Sequence, residues 1–286
     1  MLKLTPITFD KFIEELDPYG KAVVEIDLRQ VEFISSAILV QLAALCHSLH
    51  GFGKQITVKL NEKKYLYLMR AGFIPSIRQV AKIEPAEVEM AGYYQALQGL
   101  NRFLIEVKKL ESINALPKLF DQILNTLRIR LNYSLREAID TVNVISEVCQ
   151  NIFEHNQGIC GFIAMQVYKA GLKSFLEIGI SDCGVGLRVS LKRNIKNKGI
   201  KSDLEAINFA TKALTSEFDS PVRGTGLYHL LRVMKNHSGT VQIQSGKGKV
   251  RHRIDKTREW NKSPLLRGVH VVLELEAKVP EGILYD

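Results

Sequence analysis

The sequence predicts a two-part α/β chain, a small α/β module followed by a larger unit built around one apolar helix. Three observations predict it. Strand and helix patterns alternate twice within the first 72 residues. A mostly apolar helix with a single polar row covers residues 138–156. Two glycine-paired turns follow that helix, one after a strand and one before a second helix. At 286 residues the chain is long enough for two cores. The division falls at residues 1–92 and 93–286.

In the first unit Val24, Ile26 and Leu28 alternate with Glu25, Asp27 and Arg29, the pattern of a half-buried strand. Ile38, Leu42, Leu45 and Leu49 mark a helix that ends near Gly51 and Gly53. Ile56, Val58 and Leu60 alternate again, and a helix with Tyr65, Leu68 and Met69 ends at Gly72. Glu84-Pro85-Ala86-Glu87 breaks regular structure, and residues 84–101 read as the junction.

Phe103–Val107 has the composition of a strand, and Pro117 suits the first turn of a helix over Leu119–Leu131. The central helix follows. Ala138, Val142, Ile145, Cys149 and Ile152 form its apolar face, widened by Val144, Val148 and Phe153. Asn143, Glu147, Asn151 and His155 form the polar row, one turn apart. Buried polar groups need partners, and a metal ion with phosphates would supply them. Strands Gly161–Tyr168 and Phe175–Ile180 flank the hairpin signal Ala170-Gly171.

The second of these strands runs into Asp182-Cys-Gly184-Val-Gly186. Residues 188–222 are polar and basic, and are read as a lid between two glycine loops. Arg223-Gly224-Thr225-Gly226-Leu227 then opens a helix carrying Leu230, Leu231 and Met234, and Val241–Ser245 and Val269–Leu275 are strands. A helix N-terminus with small residues presents free N–H groups and a positive dipole end, which suits phosphate.

Composition bounds the function. The chain is 46% hydrophobic and 24% charged with a formal charge of +9, which suits an anionic ligand such as a nucleotide. No aromatic-and-basic signature accompanies the charge, so nucleic acid is not the expected partner. No signal-peptide pattern and no membrane-length apolar run is present, and Cys46, Cys149, Cys160 and Cys183 read as free thiols in a cytoplasmic protein. Short-spaced zinc patterns are absent. There is no GxxxxGK[ST] loop, and Gly184-Val-Gly186 lacks the third glycine of a dinucleotide fingerprint.

The first unit resembles the STAS domain of anti-sigma-factor antagonists, on its strand Ala22–Leu28, the segment Val31-Glu-Phe-Ile-Ser-Ser-Ala37, and the helix, strand and helix after it. The family's Asp-Ser-Ser/Thr-Gly phosphoacceptor segment is degenerate here, reading Ser35-Ser36-Ala37-Ile38. Ser35 or Ser36 is expected to cap the helix instead.

The second unit, over residues 103–277, resembles the GHKL ATPases, which include gyrase, histidine kinases and the anti-sigma serine kinases. The match lies in Glu147-Val-Cys-Gln-Asn151-Ile-Phe-Glu-His155 and the two glycine boxes. The resemblance implies a Bergerat-type α/β sandwich with helices on one face of a mixed, mostly antiparallel sheet. It implies that Asn151 coordinates Mg²⁺ and that Glu147 orients or deprotonates the nucleophile. Asp182 would hold the adenine amine, with Gly184 and Gly186 shaping its pocket. Gly224, Thr225, Gly226 and Leu227 would wrap the phosphates of ATP, with His155 beside them. The family's last strand often begins Gly-Thr; here it begins Gly268-Val269, without the hydroxyl.

The expected function is a Mg²⁺–ATP-binding signal-transduction protein like the anti-sigma serine kinases, acting on a STAS-type or sigma-factor-type partner. The alternative is a non-catalytic ATP-dependent conformational or dimerisation switch. A sensor histidine kinase fragment fits poorly, since no His lies between His50 and His155.

Overall fold

The computed structural model describes residues 2–86, 104–155, 160–170, 173–193, 199–212, 226–254 and 256–278, with the side chains of residues 154, 155 and 170 outside that description. The expected boundary between the units, at residues 92 and 93, also lies outside it.

The first part runs β1 (Leu2–Leu4), α1 (Phe9–Leu16), β2 (Val23–Asp27), β3 (Val31–Ile34), α2 (Ser36–Gly51), β4 (Gln55–Lys59), α3 (Glu62–Arg70), α4 (Phe73–Ile77) and β5 (Lys82–Glu84). β1 pairs with β3, and β2, β4 and β5 form a second small sheet, all parallel. In β2 the alternation is realised: Val24 and Ile26 are buried, while Val23, Glu25 and Asp27 face out. Asn61 caps α3 by accepting the Lys64 N–H at 2.9 Å. β1, α1, β3, α4 and β5 were not anticipated. Apart from α1 they span three to five residues, too few to display a period.

The second part runs β6 (Ile105–Leu110), α5 (Leu116–Leu131), α6 (Leu135–His155), β7 (Gly161–Ala170), β8 (Lys173–Asp182), α7 (Leu187–Leu191), α8 (Asp203–Ala210), α9 (Gly226–Asn236), β9 (Thr240–Gly246), β10 (Gly248–Arg253), β11 (Lys256–Trp260) and β12 (Leu266–Glu276). Its strands form one sheet in the order β11-β10-β9-β12-β8-β7-β6. The expected mixed sheet is corrected: among the described strands every pairing is antiparallel. The final strand β12 inserts between β9 and β8, beside the strand that ends in Asp182.

Both faces of the central strands of this sheet are buried, and their side chains sort by parity. Leu176, Ile178 and Ile180 of β8 join Ile123, Leu127, Ile145, Cys149 and Leu230 in a core with α5, α6 and α9. Phe162 and Ala164 of β7 point the other way and join the core of the first part. There α2 lies across β7, β8 and β12. A Cβ at Gly179 would sit 2.5 Å from the Ala37 Cα, so helix and strand touch backbone to backbone. The sequence reading placed helices on one face; the structure adds α2 on the other. Leu39, Val40, Ala43, Ala44 and Cys46 are as buried as the face read from periodicity. A helix apolar all round is a buried one, and that signal was present in the sequence.

The N-terminus of α2 also differs from expectation. Ser35 occupies the cap position without a side-chain cap hydrogen bond. Instead the Glu177 carboxylate, from β8, accepts the Ala37 N–H at 2.8 Å, and the Tyr168 hydroxyl accepts the Ser36 N–H at 2.8 Å. Among the described residues no helix is long and apolar enough to cross a membrane.

Candidate functional site

The polar row on α6 is positioned from both ends of the helix. At the start, the Ser134 hydroxyl donates to Glu137 at 2.8 Å, and the same carboxylate accepts the Ser134 N–H at 3.0 Å. This reciprocal box begins the helix at Leu135, three residues before the apolar pattern. Lys278 and Ser134 hold the Glu137 carboxyl down at about 2. Towards the other end, Ile152 seats on β7: a Cβ at Gly161 would lie 2.5 Å from Ile152 Cγ2. Gly161 is the cross-strand partner of Asp182. The turn carrying Asn151 is therefore held directly above the end of β8.

The row itself lies at the rim of the core rather than within it. Asn143 is exposed, and Glu147 and Asn151 are half-buried. Glu147 and Asn151 both face Gly226, the first residue of α9. A Cβ there would meet Glu147 Oε2 at 3.1 Å, Glu147 Cβ at 3.3 Å and Asn151 Nδ2 at 3.5 Å. A side chain there would press on the Glu147 carboxylate, so glycine suits this close approach. His229, one turn along α9, places Nδ1 3.7 Å from Glu147 Oε1. The sequence reading missed this histidine, although its spacing from Gly226 puts it on the same helical face.

The first glycine box is locked by its neighbours. Asp182 Oδ1 accepts the Gly184 N–H at 2.7 Å, and Oδ2 accepts the Val269 N–H at 3.2 Å. Gly268 has φ +91°, and a Cβ there would lie 2.0 Å from the Asp182 carbonyl oxygen. Ser245, at the end of β9, donates to the Gly268 carbonyl at 2.9 Å and accepts the Leu187 N–H at 2.9 Å. It thereby joins the turn after β8 to the entry of β12. Nothing in the sequence near Ser245 marks this role, because its partners come from segments 58 and 23 residues away.

Glu147, Asn151 and Gly226 are thus brought together, and Asp182, Gly184 and Gly186 form a second braced group beneath the same helix. Leu227 packs in the helix-side core, 7% exposed. Gly224, Thr225 and the side chain of His155 lie outside the described residues. The expected lid is in part packed structure: Ala206, Ile207 and Ala210 of α8 are buried, and Asp203 accepts the Lys247 N–H at 2.9 Å. No known family model matches the chain, and comparison with curated proteins returns no match.

Proposed function

We propose that this chain is a Mg²⁺-dependent ATP-binding regulatory protein. Its larger unit is read as a GHKL-type nucleotide domain similar to that of the anti-sigma serine kinases, and its smaller unit as a degenerate STAS-like module. The observation that carries the reading is the approach of Gly226 to the Glu147–Asn151 turn. It sets a carboxylate and a carboxamide against the start of α9, where free N–H groups favour an anion. The bracing of Asp182 by Gly184 and Val269 supports a fixed acceptor at the end of β8.

The donor set fits the implied ligands. A carboxamide oxygen such as that of Asn151 suits a hard cation that retains several waters. Bound Mg²⁺ would offset phosphate charge. Glu147 would hold or take the proton of an attacking water or hydroxyl, with His229 orienting its carboxylate. Catalysis of phosphoryl transfer is largely positioning and charge stabilisation, which these residues would provide.

A second reading is an ATP-dependent conformational or dimerisation switch without transfer. One observation favours it: Ser35 and Ser36 are 2% and 0% exposed, so neither presents a hydroxyl to a nucleotide. Neither serine is then placed to accept a phosphoryl group.

The test is incubation with Mg²⁺ and γ-labelled ATP, with and without STAS-type partner proteins, alongside Glu147→Gln. Label transfer or phosphate release that disappears in the variant supports the enzyme. Saturable ATP binding without either product supports the switch. Absence of Mg²⁺–ATP binding overturns both.

A further inference from the structure

Two sulfurs meet where the module-like first part touches the glycine turn. Cys160 immediately precedes β7 and Cys183 immediately follows β8, and their Sγ atoms are 3.1 Å apart. The Cys183 N–H donates to the Cys160 carbonyl at 3.1 Å, continuing the ladder beyond the Gly161–Asp182 pair. Facing antiparallel positions bring Cα atoms to about 4.5–5.5 Å, within the span of about 4.4–6.8 Å that a disulfide bridges. Both cysteines are free thiols. From α2, His47 lies beside the pair: its Nε2 donates to the Ser76 carbonyl at 2.8 Å, and the imidazole and the Cys160 thiol shift one another, His47 upward and Cys160 downward. The His47 ring packs against that of Phe162, with centroids 5.0 Å apart. Among the described residues no three His, Cys, Asp or Glu side chains are grouped to hold a metal ion.

The geometry points to a peroxide-reactive redox site, with Cys160 as the attacking thiolate, Cys183 as the resolving thiol and His47 as the positioning residue. The Cys183 hydrogen bond, opposed by burial and aided by His47, holds the Cys160 thiol well below the usual range, while Cys183 is pushed up. Cys160 is half-buried, open enough for a small hydroperoxide; Cys183 is 8% exposed.

The Cys160 sulfur attacks one peroxide oxygen, the O–O bond breaks, and the leaving hydroxide takes a proton to become water. Cys160 is then a sulfenic acid. Cys183 attacks that sulfur, the S–O bond breaks, and the departing hydroxide leaves as water with the Cys183 proton. Two thiols become one disulfide, and the peroxide is reduced to two waters. Since Cys183 lies between Asp182 and Gly184, the bond would clamp the first glycine turn. This chemistry does not depend on ATP being the ligand.

The test uses the full chain, reduced and then treated with stoichiometric hydrogen peroxide. Thiol counts after denaturation should fall by two, peptide mass spectrometry should find Cys160 joined to Cys183, and dithiothreitol should reverse both. Cys183→Ser should stop at a sulfenic acid on Cys160 that dimedone traps. His47→Asn should slow the first step by about tenfold at pH 7, in line with loss of an activating neighbour, and match the parent chain at high pH. Hydrogen exchange at the Gly184 amide should slow in the oxidised form. Oxidation that falls first on Cys46 or Cys149, a linkage between chains, or Cys160 alkylation no faster than that of a free cysteine would overturn the proposal. Circular dichroism of each variant separates a chemical effect from misfolding.

Discussion

Ser36 donates its hydroxyl to Glu177 at 2.9 Å across 141 residues of chain, and the bond is buried. The same oxygen accepts the Ala37 N–H, so one carboxylate satisfies two donors at the start of α2. A negative group there also interacts favourably with the positive end of the helix dipole. Burial pushes the Glu177 carboxyl up, the Ala37 N–H and the serine hydroxyls pull it down, and the net direction is up.

Glu177→Ala is expected to cost about 1–3 kcal/mol, because it strands buried donors. Glu177→Gln keeps an acceptor oxygen and should cost less. The pH sign follows from the raised carboxyl: above the ordinary value of 4.5 the folded chain holds the proton more tightly than the unfolded chain. That contribution to stability is full below 4.5 and is lost as pH rises through the folded value. Urea unfolding across pH 4–7 should show this contribution as a difference: the stability of the parent chain relative to Glu177→Gln falls as pH rises.

His270 carries the opposite sign. Burial lowers it to about 4, with the Arg267 carbonyl pulling up and Lys249 pushing further down. The folded chain binds fewer protons than the unfolded one between about 4 and the ordinary 6.5, so stability falls as pH drops through that window. The loss approaches about 3 kcal/mol at full effect. His270→Phe should flatten the acid limb of the unfolding profile.

Gly268 and Gly53 separate strain from crowding. Both have positive φ, but a Cβ at Gly53 meets nothing within 4 Å, whereas at Gly268 it would strike the Asp182 carbonyl. Gly53→Ala should cost about 1 kcal/mol from conformation alone. Gly268→Ala should cost at least about 2 kcal/mol more, since the backbone of Asp182 must shift. Thermal unfolding of the two variants measures the difference.

For the proposed site, Asn151→Ala is expected to weaken ATP binding at least about tenfold in Mg²⁺ and to change it little in EDTA. Glu147→Gln should retain binding and lose turnover. Isothermal titration with and without Mg²⁺ checks both, and equal losses in the two buffers would argue for a merely structural Asn151.

Part of the grouping of residues at the candidate site was legible in the sequence. Glu147 and Asn151 lie one turn apart, and that spacing alone puts them on one face. The glycine pairs were read as letting the backbone approach a ligand; in the structure Gly226 lies against Glu147 and Asn151. His229 and Ser245 were not legible as partners, because each gains its meaning from a residue on another element. Residues 203–210 were read as part of a basic cover, yet Ala206 and Ile207 were apolar positions waiting for a surface that β9 and β10 provide.

The sequence by itself determined the elements whose pattern is local: the alternating strands, the apolar helix with its polar row, and the turns where glycine is required. It determined them because side-chain periodicity and backbone sterics act within a few residues. Only the tertiary structure decided that α2 covers the second face of the large sheet, that Glu177 rather than a serine caps it, and that Cys160 meets Cys183. Those outcomes depend on groups scores of residues apart, whose burial and hydrogen bonding exist only once the layers have packed.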